Sequence, residues 1–217
     1  MTPQQRSRRM FAATLAIFAL VAFIALDGDR RAFQGLDAVT VRREGADGLV
    51  FIWRGTVRAP MAQRFEEAFA ERGGEARRIV IELSSPGGSL AEGREVIDAI
   101  ARMKHTHVVD TRVAPYDICL SMCVPIFLQG ERRIAAPTSH FMFHEPTAVD
   151  MITEARIERP AFERRMDSER FYRRYLEASD MNPEWGARLK AEWEGRDIWK
   201  TGRELVEEGS NIVTELR

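Results

Sequence analysis

The apolar and polar positions along the chain predict strands that alternate with helices. Runs rich in β-branched or aromatic residues predict buried strands at residues 49–53, 78–83, 107–111, 133–136 and 139–143. Apolar residues recur at helical spacing in residues 60–72, 90–103, 154–179 and from 183 onward. This alternation favours an α/β fold with a largely parallel sheet.

Glycine and proline mark the predicted ends of the helices. Gly73 and Gly74 follow the first helix in the manner of a C-cap. Pro160 interrupts the long helical pattern at residues 154–179. Asn182 and Pro183 have the residue types preferred at the N-cap and first position of a helix, so they predict the start of another one.

Two further segments are predicted from short patterns. The apolar run at residues 118–128 predicts a helix that carries Ser121 in its middle. Residues 204–216 predict a short helix, a break at Gly209 and a final strand at residues 211–214.

The first 26 residues carry the pattern of a membrane signal. An Arg-rich start precedes an uncharged apolar run at residues 10–26, after which charge resumes. The run is at the lower length limit for a transmembrane helix, and no Ala-x-Ala cleavage site follows it. We therefore expect an uncleaved anchor in the cytoplasmic membrane, with the rest of the chain on the periplasmic side. The predicted organisation is an anchor at residues 1–26, a charged linker at 27–47 and one domain at 48–217.

Composition excludes several classes of protein. With 45% hydrophobic and 30% charged residues, the chain is too apolar for disorder and too charged for several membrane spans. A net charge of −1 gives no field that would attract nucleic acid. No histidine pair has zinc-site spacing with acidic partners, so neither a metal nor another cofactor is expected.

The first candidate for chemistry is Ser-Pro-Gly-Gly at residues 85–88, between a predicted strand and a predicted helix. Two glycines there let the backbone approach a ligand with its amides exposed. Amides at this place, with the helix dipole behind them, suit a developing negative charge. This segment alone favours the alternative interpretation, a tight strand-to-helix turn without function.

The second candidate is Ser121, which stands between Leu120 and Met122. If Ser121 attacks as a nucleophile, the backbone N–H of Met122 can donate a hydrogen bond to the oxyanion that forms. The alternative is a serine tolerated in an apolar core.

The third candidate is His144, which ends the predicted strand at residues 139–143 and precedes Glu145 and Pro146. Sites in α/β proteins form at such strand ends, and a neutral imidazole is a suitable general base. A purely structural histidine is the alternative. The other three histidines, His105, His107 and His140, are interpreted as surface or strand positions.

Taken together, these three segments resemble, in order and spacing, the Clp-type (caseinolytic) serine peptidases of the crotonase fold group. The resemblance covers residues 48–217. It implies stacked β-β-α units with a C-terminal helical arm. It also implies Ser121 as nucleophile, His144 as base, and the amides of Gly88 and Met122 as the oxyanion hole.

One position departs from the pattern of that family. The orienting aspartate of the resembled triad falls on Trp193, with Glu192, Glu194 and Asp197 as the neighbouring acids. Of these, Glu194 and Asp197 are the candidate replacements. Loss of the orienter would weaken catalysis severely, because the tautomer of His144 would not be fixed. A non-catalytic binding or scaffold protein on the same fold is therefore a second hypothesis.

Cys119 and Cys123 are the only cysteines, and they flank Ser121. The Cys-x-Ser-x-Cys pattern resembles a set of predicted periplasmic Clp-like proteins. Spaced i and i+4 on a helix, the two Cα atoms would lie near the upper limit for a disulfide. A disulfide that stiffens the turn of Ser121 and a pair of buried free cysteines remain open.

The sequence thus predicts a serine hydrolase that cleaves an acyl bond of a peptide or protein outside the cytoplasm. The resemblance implies a homo-oligomer, and the N-terminal anchor implies a membrane contact; nucleic acid is not an expected partner. A third hypothesis is acyl-thioester chemistry, which the fold group includes. It ranks last, because coenzyme A substrates are not expected outside the cytoplasm.

Overall fold

Two β-sheets of different size, flanked by helices, organise the chain. The structure is a computed structural model that describes residues 38–147 and 157–217. Its strands are β1 (Thr40–Arg43), β2 (Gly48–Arg54), β3 (Arg78–Ser84), β4 (Val108–Val113), β5 (Ile118–Leu120), β6 (Arg133–Ala135), β7 (His140–Phe143), β8 (Ile198–Thr201) and β9 (Glu215–Leu216). Its α-helices are α1 (Met61–Arg72), α2 (Leu90–Lys104), α3 (Cys123–Phe127), α4 (Ala161–Phe171), α5 (Pro183–Glu192) and α6 (Gly202–Glu207). A 3₁₀ turn (Gly73–Glu75) and a π-helix (Tyr172–Glu177) complete the described elements.

The main sheet has six strands in the order β1-β2-β3-β4-β6-β9. Only β1 is antiparallel to its neighbour, so the expectation of an α/β fold with a largely parallel sheet is confirmed. Strands β2 and β3 are buried along almost their whole length. Parallel strands covered on both faces need continuous apolar runs, which is why their sequences do not alternate with polar residues.

The hydrophobic core lies between the main sheet and helices α1 and α2. The Trp53 ring on β2 stacks against Phe65 of α1, with 6.2 Å between ring centroids. Both side chains are fully buried. Each large side chain buried in this way stabilises the fold by about 1.5–3 kcal/mol. The core holds the carboxyl end of β3 in place, from which the Ser-Pro-Gly-Gly loop emerges.

The second sheet has the order β5-β7-β8. Strands β5 and β7 are parallel, and β8 is antiparallel to β7. An isolated parallel bridge between Ser85 and Cys119 connects the end of β3 in the main sheet to β5. The sequence did not predict β8, because its four residues show no alternation and Trp199 is half exposed. Strand β8 forms because it pairs with β7, and local sequence does not predict that pairing.

The predicted helix at residues 118–128 is wrong. The segment forms strand β5, a turn at Ser121 and Met122, and the short helix α3. A short apolar run is compatible with either a strand or a helix, and periodicity alone does not separate them. Here the pairing of β5 with β7 decides for a strand.

The predicted linker at residues 27–47 contains strand β1 at its described end, and β1 pairs with β2. The compact unit that includes the domain spans Val39–Arg217. At the other end of the chain, the predicted strand at residues 211–214 is displaced to β9, where Glu215 pairs with Ile134. Helix α6 starts at a Thr201–Glu204 capping box, two residues before the predicted start.

Two details of the helices also differ from the expectation. Gly73 is the C-cap of α1 but has a φ of −54°, and the chain continues into a 3₁₀ turn without a left-handed residue there. Within the predicted long helix at residues 154–179, the described part begins after Pro160 with α4 and continues as the π-helix. Residues 148–156 lie outside the described residues.

The predicted anchor at residues 1–26 also lies outside the described residues. Among the residues that the structure does describe, no helix has both the length and the apolar character needed to cross a membrane.

Candidate active site

Ser121 lies at a sharp turn between β5 and α3. Its φ is +53°, in the left-handed region that non-glycine residues rarely adopt. The Ser121 N–H donates to the Met142 carbonyl at 2.9 Å, and the Ser121 carbonyl accepts from the Val124 N–H at 3.0 Å. The turn is therefore held from both sides, by β7 and by the first turn of α3. A strained backbone held in this way is common at functional sites.

His144 directly follows β7, and its ring reaches Ser121. Strands β5 and β7 are parallel, with Leu120 opposite Met142, so the residues that follow both strands emerge at the same edge. Ser121 Oγ and His144 Nε2 lie 2.7 Å apart, which is hydrogen-bond distance. With the proton of the imidazole on Nδ1, the Ser121 hydroxyl donates to Nε2. Both residues are partly buried.

The Ser-Pro-Gly-Gly loop lies directly against this turn. Gly87 has a φ of +88°, and a Cβ atom there would lie 2.6 Å from Ser121 Cβ and 3.1 Å from the Met122 nitrogen. Only glycine allows such an approach. The Ser85 hydroxyl, fully buried, accepts a hydrogen bond from the Gly87 N–H at 3.1 Å and holds the loop.

Gly88 is held by the backbone of Val57. The Val57 N–H donates to the Gly87 carbonyl at 2.8 Å, and the Val57 carbonyl accepts from the Ser89 N–H at 2.7 Å. In a parallel bridge of this kind the residue between, Gly88, turns its own N–H away from the partner strand. The Gly88 N–H is thus not hydrogen-bonded to Val57. Gly88 was the glycine predicted for the site, but Gly87 is the one that approaches Ser121; the glycine pair in the sequence is the signal for both.

Cys119 and Cys123 form a disulfide with a Cα–Cα distance of 5.1 Å. The expectation that the two residues share a helix is wrong. Cys119 belongs to β5 and Cys123 begins α3, so the bond spans the turn at Ser121. Both residues are fully buried.

The acids expected to orient His144 are not hydrogen-bonded to it. Glu194 and Asp197 are exposed, and no hydrogen bond within the described residues joins either carboxylate to the His144 ring. Trp193, where the sequence resemblance places the orienting aspartate, is 2% exposed and packs edge-on against Tyr172, with 5.8 Å between ring centroids. Burial of the indole directs the chain so that its acidic neighbours face solvent.

Glu145 ties this segment to the strand end that carries His144. Its carboxylate accepts a hydrogen bond from the Gly195 N–H at 3.2 Å. This role of Glu145 was not predicted from the sequence. The segment after α5 is therefore adjacent to the site even though its own acids point away.

The remaining histidines lie in structural or surface positions. His107 Nε2 is 3.0 Å from the Gly73 carbonyl, and its ring packs edge-on against Phe69. His140 is exposed on β7. In the part of the chain that the structure describes, no three histidine, cysteine or acidic side chains are grouped so as to hold a metal ion.

Comparison with known proteins identifies the family. The sequence pattern of the Clp protease family matches residues 54–213. The chain belongs to the Clp protease family. The matched range contains the Ser-Pro-Gly-Gly loop, Ser121 and His144, and membership in this family makes the protein a serine peptidase in class. No curated protein matches the chain significantly.

Among solved structures, the chain is similar to a point mutant of ClpP1 from Listeria monocytogenes. The TM-score is 0.59 at 22% sequence identity, and the match covers 77% of this chain and 90% of the Listeria chain. At this identity the similarity concerns the fold. The resemblance to Clp-type peptidases found in the sequence is therefore confirmed for the family and for the fold.

Proposed function

We propose that this Clp-family protein hydrolyses peptide bonds with Ser121 as nucleophile and His144 as general base, and that it does so outside the cytoplasm. The observation that carries the proposal is the 2.7 Å distance between Ser121 Oγ and His144 Nε2. A nucleophile and a base at this separation are arranged for proton transfer.

Acylation follows from this arrangement. Ser121 Oγ attacks the carbonyl carbon of the scissile bond while its proton passes to His144 Nε2. The carbonyl oxygen becomes an oxyanion, for which the Gly88 and Met122 N–H groups are the proposed donors. Collapse of the intermediate breaks the C–N bond, and His144 gives the proton to the leaving amine.

Water completes the reaction by the same route. His144 takes a proton from a water molecule, whose oxygen attacks the acyl carbon of the Ser121 ester. The second tetrahedral intermediate releases the acid product, and the proton returns to Ser121 Oγ. Peptides and proteins are the substrate class that the family indicates.

The proposed location rests on the N-terminus and on the cysteines. The Arg-rich start and the apolar run at residues 10–26 have the pattern of a signal anchor. The Cys119–Cys123 disulfide fits an oxidising compartment, where such bonds persist. Washing membranes with alkaline carbonate tests the anchor: full-length protein should stay with the membrane, and its release would contradict an integral anchor.

Assembly into a homo-oligomer is part of the same proposal and comes from the family. Most soluble oligomers are closed, symmetric assemblies of identical subunits. Light scattering on the detergent-solubilised full chain gives the subunit number, and a monomer at all concentrations would contradict this part.

A fluorophosphonate probe tests the proposed chemistry directly, because it reacts with activated serines. We expect the probe to label the full chain, and labelling to vanish in Ser121→Ala. The matched control is Ser179→Ala. The Ser179 hydroxyl donates a hydrogen bond to the Leu176 carbonyl and accepts one from the Met181 N–H, so this variant should label as wild type does. Equal labelling of wild type and Ser121→Ala would remove Ser121 from the mechanism.

A second candidate function is binding without catalysis, which the buried Trp193 at the position of the family's aspartate favours. The two functions separate in complementation. If Ser121→Ala and His144→Ala both restored a deletion strain fully, the protein would act by binding. Failure of both variants, at normal protein levels, would support the peptidase.

A further inference from the structure

Gly93, in the first turn of α2, forms a hollow that the side chain of Met122 fills. A Cβ atom at position 93 would lie 2.4 Å from both Cγ and Cε of Met122 and 3.0 Å from its Sδ. Gly93 is buried and Met122 is fully buried. A side chain at position 93 would therefore displace Met122.

The backbone conformation of Gly93 does not explain the glycine. Its φ lies outside the left-handed region, so any residue would adopt it. Glycine weakens a helix relative to alanine, and a buried helical glycine usually has a packing reason. The close approach of Met122 is the packing reason that the structure provides.

Displacement of Met122 would move its backbone. The far methyl group of a methionine can swing aside, but Cγ moves only by rotation about the Cα–Cβ bond, which the full burial of Met122 opposes. Met122 also adjoins Cys123, whose disulfide to Cys119 limits how the turn adjusts. Contact at Cγ is therefore transmitted to the Met122 amide.

Helix α2 connects this contact to the other proposed oxyanion donor. Gly88 directly precedes Ser89, whose hydroxyl caps α2 by accepting from the Glu92 N–H at 3.3 Å. The Gly93 N–H then donates to the Ser89 carbonyl at 2.9 Å. The first turn of α2 is thus a rigid spacer between Gly88 and the hollow at Gly93.

We propose that Gly93 is a positioning residue, which sets the separation of the Gly88 and Met122 amides through the Met122 side chain. Acylation of Ser121 is fast only when both amides face the same oxygen. This inference rests on the proposed function, since it concerns the rate of that same reaction.

The test is the kinetics of fluorophosphonate labelling of the full chain with Gly93→Ala. Misplacement of a catalytic group by about 1 Å costs on the order of a hundredfold in rate. We expect the maximal labelling rate to fall by about tenfold to a hundredfold, while the probe concentration for half-maximal rate stays unchanged.

Two variants control for general effects of a new methyl group. Gly73→Ala introduces a similar overlap, at 2.7 Å from the Phe69 ring, beyond the amino end of β3 and thus away from Ser121. It should lower Tm and leave the labelling rate unchanged. Gly74→Ala meets open space and should change neither.

A double variant provides the rescue. Gly93→Ala combined with Met122→Ala keeps the backbone amide and removes the side chain that the new methyl group displaces. Its labelling rate should equal that of Met122→Ala alone, so that the two substitutions are not additive. A double variant slower than Met122→Ala, a wild-type rate in Gly93→Ala, or an equal loss in Gly73→Ala would overturn the inference.

A readout without activity separates this inference from the proposed function. In protein labelled with ¹⁵N-methionine, Gly93→Ala should shift the Met122 amide resonance and Gly73→Ala should not. If wild type is not labelled at Ser121, the proposed function fails, and this spectrum alone decides the positioning. An unchanged Met122 resonance in Gly93→Ala overturns it.

Discussion

Ser85 and Cys119 face each other in an isolated parallel bridge, although Ser85 follows β3 of the main sheet and Cys119 belongs to β5 of the second sheet. The Ser85 N–H donates to the Ile118 carbonyl at 2.8 Å, and the Ser85 carbonyl accepts from the Leu120 N–H at 3.0 Å. This bridge aligns the end of β3 with β5. Because Ser85 opens the glycine loop and Leu120 precedes Ser121, the pairing fixes the loop beside the proposed nucleophile.

His144 should be needed for acylation, while a neighbouring histidine should not. Without the imidazole, no base accepts the Ser121 proton, and general-base catalysis contributes about 10²–10⁴-fold. We expect His144→Gln to slow fluorophosphonate labelling by about that factor. His140→Gln, at an exposed site on β7, the strand that His144 follows, is the matched control and should label as wild type does. Equal rates in both variants would contradict the assignment of the base.

Any substitution of Gly87 should abolish labelling of Ser121. Gly87→Ala combines a left-handed φ with overlaps of 2.6 Å to the Leu120 carbonyl and to Ser121 Cβ, so labelling should be lost. Gly45 also has a left-handed φ, of +71°, but no atom lies within 4 Å of a Cβ there. Gly45→Ala should therefore cost only about 1–2 kcal/mol of unfolding free energy, with labelling intact. Normal labelling of folded Gly87→Ala would contradict the close approach.

The disulfide should stabilise the turn that carries Ser121. Replacing both Cys119 and Cys123 with alanine reopens a short loop, which costs about 2 kcal/mol by chain entropy. For a domain of this size, Tm should fall by about 4–8 °C in calorimetry. Ser121 should also label more slowly, since its left-handed φ is less well held. Two reactive thiols in denatured protein prepared without reductant would show that the bond is absent.

Asp110 should make the stability of the fold depend on pH in the acidic range. Burial raises the pKa of this carboxyl, but hydrogen bonds from Arg132 and Arg78 outweigh burial and hold the pKa below its ordinary value. The unfolded carboxyl titrates at about 3.9. The stabilisation is therefore complete above about pH 4 and is lost as pH falls through the folded pKa.

Asp110→Asn tests this dependence by urea unfolding at several pH values. We expect a loss of about 2–3 kcal/mol at pH 7, because charged hydrogen bonds to two arginines are removed. The difference from wild type should shrink in acid, where both proteins carry a neutral group. Asp98→Asn, at an exposed site, should have little effect. A difference that is the same at both ends of the pH range would exclude a role of the charge.

Local sequence was sufficient for the strands of the main sheet that are buried on both faces. Strands β2 and β3 were placed within one residue, because long β-branched and aromatic runs have few alternatives. It was insufficient for β8 and for the segment of Ser121. There the choice between strand, turn and helix depends on pairing with β7, which local propensity does not encode.

The candidate site divides in the same way. The residue types, their order along the chain and the family were accessible from the sequence, since a hydroxyl, an imidazole and a glycine pair are chemical identities. The exposure of Glu194 and Asp197 was not accessible from the sequence, because it follows from burial of the Trp193 indole in the core.

By itself, then, the sequence determined which groups are present and that they belong to a Clp-type protein. Tertiary structure alone decided that Ser121 adopts a left-handed turn and meets His144, that Gly87 touches that turn, and that Gly93 receives Met122. The physical reason is the distance along the chain over which each interaction acts. Propensities and caps act over a few neighbouring residues, whereas strand register and side-chain packing join segments that are distant along the chain.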